Sequence, residues 1–272
     1  MPNFSILLPS SDKQISGGNP LAPDMFDYRT SNTFNYFSDL NQDRRALITA
    51  LHGALENADV DKEALLGVSG DNLEAVIAAN TDIYSAPLMS ALERYGPGVL
   101  YQTADFTSLP TGAQRRLLEE AIIFSGLFGL LRPDDLIPQY CLPVSAELPE
   151  IGNSSDYWRK AVSEKLNQTL KGRFVWNMLP EEYEAVWDND FSYDAMVRLV
   201  FAKRDGEDVI PVKTNTLPLY GKVVSLIVQE TLESLDEVFW EWKHPSGYKP
   251  IESLSSYDEE TKTHTVMMVK RR

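Results

Sequence analysis

The chain has 272 residues, of which 43% are hydrophobic and 24% are charged, and its formal net charge is −15. This composition is that of an ordinary globular protein, and its acidic excess disfavours broad binding to nucleic acids or anionic membranes. One cysteine, Cys141, excludes an intrachain disulfide. No apolar run has the roughly 18 residues of a membrane span, and the first residues lack a signal-peptide pattern. We therefore expect a cytoplasmic protein without a membrane partner.

Short apolar runs bounded by turn residues predict three buried strands, over residues 4–8, 121–125 and 174–176. Apolar residues at helical spacing predict helices over residues 41–57, 111–120, 156–170 and 219–235. Two hairpins are predicted around Asp205-Gly206 and around residues 258–260. The mixed order of strands and helices predicts one compact α/β or α+β domain over residues 1–272.

A serine-rich loop, Ser10-Ser11-Asp12-Lys13, follows the first predicted strand. Ligands of mixed sheets tend to lie beyond the carboxyl ends of strands, where hydroxyls, free amides and a lysine suit a phosphate or another anion. The alternative is an ordinary polar loop, because serine is common in turns without any function. Ser10 and Ser11 are therefore candidate ligand-binding residues, and Ser11 and Lys13 are candidate catalytic residues.

Residues 58–95 are predicted to form a helical hairpin insert, with a turn at Gly67-Val68-Ser69-Gly70 and with Ser69 capping the second helix. The turn resembles a helix-hairpin-helix element, in which turn amides, here those of Gly67, Ser69 and Gly70, contact a nucleic-acid phosphate. The nearby charges favour a packing hairpin instead. They are Asp59, Asp61, Glu63, Asp71 and Glu74 against the single cation Lys62.

Residues 124–143 run from an apolar strand into a charged elbow, Arg132-Pro133-Asp134-Asp135, and then reach Tyr140. Unpaired charges near a core are costly, so the elbow is either a satisfied ion-pair site or the rim of a functional cleft. We expect a carboxylate, that of Asp134 or Asp135, to hold the Arg132 guanidinium.

The stretch from Ser125 to Tyr140 resembles the signature SGLxGxLRPxDxxxxY of the YaaA-like peroxide stress protein family. Further similarity covers about residues 3–270 and includes residues 7–12, 65–80, 156–158, 177 and 182–183. The resemblance implies a YaaA-type mixed fold with a helix-hairpin-helix-like element, a role in limiting peroxide damage, and a cleft that contacts DNA. It also predicts that one site unites Ser10, Ser11, Arg132, Asp134, Tyr140, Tyr157 and Asn177.

The chain also departs from the family pattern, which identifies it as a diverged member. Relatives carry a lysine where the ungapped match places Gln14, although Lys13 takes that position with a one-residue shift. They carry an arginine where this chain has Cys141, and an Ala-Lys…Arg-Gly element where it has residues 216–221. Since arginine and lysine are strong anion ligands, these losses indicate an altered or lost anionic ligand.

The remaining reactive residues give few signals. His52, His244 and His264 lack ligand spacing, and no phosphate-binding or dinucleotide-binding glycine motif is present, so we expect no metal and no cofactor. Cys141 has two interpretations. It is either a small buried side chain or a cleft-facing thiolate whose pKa is lowered by Arg132.

Three functions remain open. The first is a cytoplasmic peroxide stress protein with weak DNA contact. The second is a repurposed enzyme that acts on a small nucleotide-like or phosphorylated substrate, and the third is a non-catalytic protein that binds a partner through its acidic face. The partner is thus a small anionic ligand or DNA, and the sequence leaves substrate, catalysis and oligomeric state open. The candidate catalytic residues are Ser11, Lys13, Arg132, Asp134, Tyr140 and Cys141, and the ligand-binding ones are Ser10, Ser11, Arg132, Tyr140, Tyr157 and Asn177.

Overall fold

The computed structural model of the protein describes residues 2–20 and 36–271. The strands found there are β1 Phe4–Pro9, β2 Met89–Ser90, β3 Ala121–Ser125, β4 Gly129–Leu131, β5 Leu136–Ile137, β6 Glu147–Leu148, β7 Gly152–Asn153, β8 Phe174–Asn177, β9 Ala195–Asp205, β10 Asp208–Pro211, β11 Lys249–Pro250, β12 Ser256–Asp258 and β13 Thr263–Arg271. The helices are α1 Asn41–Glu56, α2 Lys62–Leu66, α3 Leu73–Thr81, α4 Ala91–Arg94, α5 Val99–Ala104, α6 Thr111–Glu120, α7 Ser154–Leu170, α8 Leu217–Glu230 and α9 Glu237–Glu241. None of these helices is both long and apolar enough to cross a membrane.

One sheet organises the molecule, with the strand order β11-β13-β9-β8-β1-β3-β4 and with β10 and β12 paired to β9 and β13. Its five central strands, β13, β9, β8, β1 and β3, run parallel. The sheet joins strands from both ends of the chain, which makes a single mixed α/β domain and confirms the predicted fold class.

The three predicted buried strands are confirmed as β1, β3 and β8, in which every residue is buried. They read as continuous apolar runs because central parallel strands are covered on both faces. Both predicted hairpins are present. Strand β10 pairs antiparallel with β9 beside Gly206, and β12 pairs antiparallel with β13.

The predicted helices are present, but two have different ends. Helix α7 begins at Ser154, because the Asn153 side chain accepts a hydrogen bond from the Ser155 N–H at 2.9 Å and caps the helix there. Helix α8 begins at Leu217, with a proline in its first turn, and Thr231 ends it in the left-handed conformation with φ 59°. The prediction that this helix reaches residue 235 is therefore wrong.

The helical hairpin is built from α2 and α3, but it differs in detail from the prediction. Ser69 makes no capping hydrogen bond, so its predicted role is wrong. The turn instead depends on two glycines in the left-handed region, Gly67 with φ 65° and Gly70 with φ 68°. A β-carbon on Gly67 would lie 3.3 Å from the Pro143 ring, so this turn packs closely on the segment that follows β5.

Candidate functional site: a hydroxyl-lined cleft at the sheet edge

The principal cavity lies beyond the carboxyl ends of β1 and β8, two neighbouring strands of the sheet. The chain goes from β1 to β3 on one side and from β8 to β9 on the other, so the two exits diverge and leave a crevice between them. The cavity has a volume of about 820 Å³. Its walls are the loop after β1, the exit from β8, the segment after β5, the turn between α2 and α3, and Leu217 at the start of α8.

The loop after β1 is fixed where it enters the cavity. The Ser10 N–H donates to the Phe124 carbonyl at 2.9 Å, and the Tyr101 hydroxyl donates to the Pro9 carbonyl at 2.7 Å. Further along, the Gln14 amide donates to the Ser11 carbonyl at 3.3 Å and accepts from the Tyr140 N–H at 3.1 Å. The Gln14 side chain therefore ties this loop to the opposite wall of the cleft.

Arg94 holds the rest of this loop. Its guanidinium is fully buried and donates to four carbonyls, those of Ile15, Gly17, Pro87 and Ile137. Burial lowers the pKa of Arg94, against a smaller opposing effect of Tyr95 and Glu93. Because each carbonyl accepts from a charged donor, Arg94 strongly restrains the loop.

Hydroxyl groups cluster at the floor of the cleft, where Ser10, Tyr140 and Tyr183 line the cavity and the buried Tyr95 and Ser125 contact Tyr140. The Tyr140 hydroxyl lies 2.5 Å from the Tyr95 hydroxyl and 2.7 Å from the Ser125 hydroxyl. Next to them, the Ser10 hydroxyl lies 3.2 Å from the Tyr183 hydroxyl. The carboxyl ends of β1 and β3 hold Ser10 and Ser125 side by side, since Pro9 is paired with Phe124 in the sheet.

These phenols stay neutral at physiological pH. Burial raises the pKa of Tyr140 to about 12, although hydrogen bonds from Ser125 and Tyr95 act against it. Burial likewise raises the pKa values of Tyr95, Tyr101 and Tyr183 well above the ordinary value for tyrosine. The site therefore offers neutral hydroxyls, each able to donate one hydrogen bond and to accept others.

Cys141 lines the same cavity, but its thiol is not activated. Its sulfur donates to the Leu66 carbonyl at 3.3 Å, and burial, assisted by the charge of Asp12, raises its pKa to about 11. The backbone of Cys141 exchanges two hydrogen bonds with the Asn80 side chain, at 2.8 and 2.7 Å. Asn80 thereby docks α3 onto the cleft wall.

Charged groups are few around this cavity. Among the described residues, the charged ones that line the cavity are Asp12, Lys13 and Glu182. A second cavity of about 730 Å³ shares Pro180, Glu182 and Leu217 with it and adds Arg198 and Lys213. The Arg198 guanidinium is engaged by the Glu184 carboxylate at 2.5 Å.

Comparison with known families now identifies the chain. Residues 4–249 match the family described as peroxide stress protein YaaA. This match covers far more than half of the 272 residues. The chain belongs to the YaaA peroxide stress protein family. Membership associates it with the peroxide stress response.

Several bacterial relatives match parts of the chain. A UPF0246 protein of Streptomyces coelicolor is 30% identical over 183 residues, which is 67% of this chain and 66% of that protein. A UPF0246 protein of Corynebacterium efficiens is 37% identical over 144 residues, 53% of this chain and 52% of that protein. One from Rickettsia bellii is 26% identical over 142 residues, 51% of this chain and 57% of that protein. The matched regions thus span about half to two thirds of these relatives.

The YaaA fold brings together only part of the predicted site. Ser10, Ser11, Lys13, Tyr140 and Cys141 all line the principal cavity. Gly67 of the hairpin also lines it. Asn177 lines the second cavity instead, and its side-chain oxygen accepts from the Leu179 N–H at 2.9 Å.

Arg132 and Asp134 do not reach this site. Strand β4 runs antiparallel to β3, so Arg132 returns to the amino end of β3 and donates to the Glu119 carbonyl there. Ser10 instead bonds to Phe124 near the carboxyl end of β3, and neither Arg132 nor Asp134 is among the described residues that line the cavity. The predicted convergence of Arg132 with Ser11 is therefore wrong.

The predicted carboxylate partner of Arg132 is also wrong. The Asp135 carboxylate accepts from the backbone N–H of Arg132 at 2.7 Å, while Asp134 accepts from the Tyr36 hydroxyl at 3.0 Å. The Arg132 guanidinium lies 5.3 Å from the centre of the Tyr36 ring, and its Nε is buried without a hydrogen-bond partner in the described residues. Arg132 does not line the cavity that contains Cys141, and the pKa of the thiol is raised rather than lowered.

Tyr157 lies elsewhere as well. Its hydroxyl donates to the Asp43 carbonyl at 3.0 Å, which joins α7 to α1, and burial raises its pKa to about 12. Tyr157 therefore packs two helices together rather than lining the cleft.

Sequence reasoning did not assign Gln14, Tyr95, Ser125 or Tyr183 to the site. Tyr183 and Ser125 stand within family-like motifs, which is a usable signal, whereas nothing near Tyr95 in the sequence indicates a partner 45 residues away. No group of three or more His, Cys, Asp or Glu side chains suited to a metal occurs within residues 2–20 and 36–271.

Proposed function

We propose that this protein acts in the cytoplasmic response to peroxide by binding a small polar molecule in the cleft beyond β1 and β8. The observation that carries the proposal is the cavity of about 820 Å³, whose floor and rim present Ser10, Ser11, Tyr140 and Tyr183. A volume within the range of small-molecule sites, with a few convergent polar groups, suits such a ligand.

The position and charge of the hairpin between α2 and α3 favour a small-molecule ligand over a contact with DNA. Its turn residues Gly67 and Val68 line the cavity and contribute a wall of it. Around the turn, Asp59, Asp71 and Glu74 are acidic, and the whole chain carries a net charge of −15. Non-specific affinity for DNA depends on lysine and arginine next to phosphates, and Lys62 is the single cation among residues 58–74.

A steric variant tests the role of the cleft. Val68→Trp places a large side chain at the cavity wall without removing a polar group, and Val238→Trp, at an exposed position on α9, is the matched control. Each is expressed in a bacterium that lacks its own family member, and survival after hydrogen peroxide is measured. We expect Val238→Trp to protect and Val68→Trp to fail, with both proteins melting at similar temperatures. Equal protection by the two variants contradicts the proposal.

Native mass spectrometry of the same two proteins provides an unbiased search for the ligand. A small molecule that leaves the wild type and Val238→Trp on activation, and that Val68→Trp does not retain, identifies the ligand directly. The same molecule retained equally by all three proteins argues against the cleft as its site.

The DNA contact implied by the family is tested separately. We expect weak binding that falls steeply between about 50 and about 200 mM salt in a fluorescence anisotropy titration. If the hairpin contacts the phosphates, the double variant Asp71→Lys/Glu74→Lys binds more tightly than Glu237→Lys/Glu241→Lys, which makes the same charge change on α9. Tight binding by the wild type that hardly weakens with salt would show that DNA is its ligand.

A further inference from the structure

Among the hydroxyls at the cleft floor, the donor and the acceptor of each hydrogen bond can be assigned by counting protons and lone pairs. The Ser125 hydroxyl oxygen accepts from the Phe128 N–H at 2.9 Å and from the Leu127 N–H at 3.3 Å. Both of its lone pairs are therefore engaged. Its own proton is directed to the Tyr140 oxygen, 2.7 Å away.

The Tyr95 hydroxyl also donates a hydrogen bond to the Tyr140 oxygen. Its ring is fully buried, and its hydroxyl oxygen lies 2.5 Å from that of Tyr140. The other nearby hydroxyl, Ser125, already accepts two N–H groups, so Tyr140 is the acceptor open to the Tyr95 proton. A buried hydroxyl proton without an acceptor is costly, which fixes this direction.

Tyr140 thus accepts two hydrogen bonds, one from Ser125 and one from Tyr95. Neither of these hydroxyls needs the Tyr140 proton as a hydrogen-bond donor. The Tyr140 side chain is 4% exposed and lines the cavity beside Ser10. Its O–H group is therefore turned toward Ser10 and the open cleft. Two donors behind the oxygen polarise this O–H and strengthen the hydrogen bond that it gives.

We propose that the Tyr140 O–H donates to an oxyanion of the ligand, a carboxylate or phosphate oxygen, and that Ser125 and Tyr95 set the direction of this bond. The inference rests on the proposed function, in which the cleft binds a small molecule. Of the charged residues that line the same cavity, Lys13 favours an anion whereas Asp12 and Glu182 oppose one, and the amino-terminal end of the 14-residue helix α8 at Leu217 adds a positive partial charge. Hydrogen bonds to charged oxygens are also stronger than those to neutral ones.

An NMR titration of the full chain, labelled with ¹⁵N, tests the proposal with three probes: inorganic phosphate, acetate and the neutral analogue acetamide. The amide signals of Ser10, Lys13 and Cys141 report binding. We expect saturable millimolar binding of at least one anion and weaker binding of acetamide, with the better anion distinguishing a phosphate ligand from a carboxylate ligand. Acetamide binding as tightly as acetate overturns the preference for an oxyanion.

Isosteric variants then test the donor. Tyr140→Phe is expected to weaken the binding of the better anion on the order of 10- to 100-fold. Tyr193→Phe is the control, because its buried hydroxyl bonds to the Thr261 carbonyl away from the cleft, and it is expected to bind like the wild type. Equal binding by the two variants, with both folded by their amide spectra, overturns the role of Tyr140.

The direction of the network is tested by Tyr95→Phe. If Tyr95 donates to Tyr140, its removal weakens anion binding several-fold. If Tyr140 instead donates to Tyr95, the variant frees the Tyr140 proton and binds more tightly, which overturns the assignment. Absence of anion binding by the wild type overturns the oxyanion inference alone, because the comparison of Val68→Trp with Val238→Trp judges the cleft independently.

Discussion

The Gln14 side chain accepts a hydrogen bond at 3.1 Å from the backbone N–H of Tyr140, 126 residues later in the chain. This bond connects the loop after β1 to the segment after β5 across the cleft. The same amide donates to the Ser11 carbonyl, so the side-chain oxygen is the atom that faces Tyr140. A lysine at this position would have no acceptor to offer.

Replacement of Gln14 is therefore expected to destabilise the protein. Gln14→Ala and Gln14→Lys both leave the Tyr140 N–H without its acceptor and should lower the free energy of unfolding by about 1–3 kcal/mol. Gln14→Glu keeps an acceptor oxygen and should retain more of the stability. Gln102→Ala, at an exposed position of α5, is the control and should change it by less than about 0.5 kcal/mol. Urea unfolding measures all four, and equal values for Gln14→Ala and Gln102→Ala would show that the bond is unimportant.

Arg94 gives a second prediction about the same loop. Arg94→Met removes the charged donor to four carbonyls and should cost about 3 kcal/mol or more, because the Ile15 and Gly17 carbonyls then lose their buried partner. Arg94→Lys should recover only part of this, since one ammonium cannot reproduce the planar fork.

The control for Arg94 is Arg115→Met. Arg115 has 77% of its side chain exposed and pairs with Glu119 at 2.6 Å, so its loss should change the free energy of unfolding far less than Arg94→Met does. Limited proteolysis adds a local measurement. In the Arg94→Met variant, new cleavage should occur in the loop formed by residues 10–20. A loop as resistant to protease as that of the wild type contradicts the role of Arg94.

The buried strands and part of the site could be predicted because the signals are local. The apolar runs that became β1, β3 and β8 are short and bounded by turn residues, and Ser10 follows one of them directly. Their burial on both faces leaves a pattern that a sequence shows without any knowledge of partners. The assignment of Ser10 and Ser11 to a sheet edge followed from the same local pattern.

The sequence prediction wrongly placed Arg132 in the cleft because Arg132 is close to Tyr140 in the sequence, although the two do not share the cavity in the structure. Strand β4 runs antiparallel to β3 and carries the chain away from the carboxyl end of β3 before the elbow, and the residues after the elbow return to the cleft. The partnership of Tyr95 with Tyr140 depends on tertiary packing alone, and a tyrosine after a four-residue helix has no spacing pattern to reveal it. Hydroxyl clusters of this kind are visible only once the fold is known.

Cys141 is expected to react slowly with alkylating reagents. Burial and then the charge of Asp12 raise its pKa to about 11, so at pH 7.5 little thiolate is present. Labelling by iodoacetamide should be slower than that of a free thiol, on the order of tenfold or more after the greater nucleophilicity of a high-pKa thiolate is included. The rate should continue to rise with pH up to about pH 10 without a plateau, because the thiol titrates above that range.

Two variants complete the cysteine test. Asp12→Asn removes the charge that raises the thiol pKa and should accelerate labelling. Cys141→Ser/Ser253→Cys moves the thiol to an exposed position and should label like a free thiol standard. Cys141→Ser by itself should protect cells from peroxide as well as the wild type. Rapid labelling of wild-type Cys141 at pH 7.5, with loss of protection in the serine variant, would restore the reactive interpretation.

We expect the contribution of Asp135 to the free energy of unfolding to fall as pH rises. Its carboxyl is fully buried, and burial raises its pKa from 3.8 to about 6, although the N–H groups of Arg132 and Tyr36 and the charge of Arg44 oppose the shift. Between about pH 4 and pH 6 the folded protein then holds a proton on Asp135 that the unfolded chain releases. In this window the Asp135 contribution to the free energy of unfolding falls as pH rises, and above about pH 6 it stays at its lower level.

Asp135→Asn removes this titration and keeps one acceptor oxygen. Urea unfolding of wild type and variant at several values between pH 4 and pH 7 isolates the effect, because the other carboxyl groups are common to both proteins. We expect the stability of the wild type relative to Asp135→Asn to decrease as pH rises through the window. Asp134→Asn, at the exposed neighbouring position, is the control and should follow the wild type. A wild-type advantage that grows with pH would mean that Asp135 is stabilised as a carboxylate by its two N–H donors and Arg44, with a folded-state pKa below 3.8.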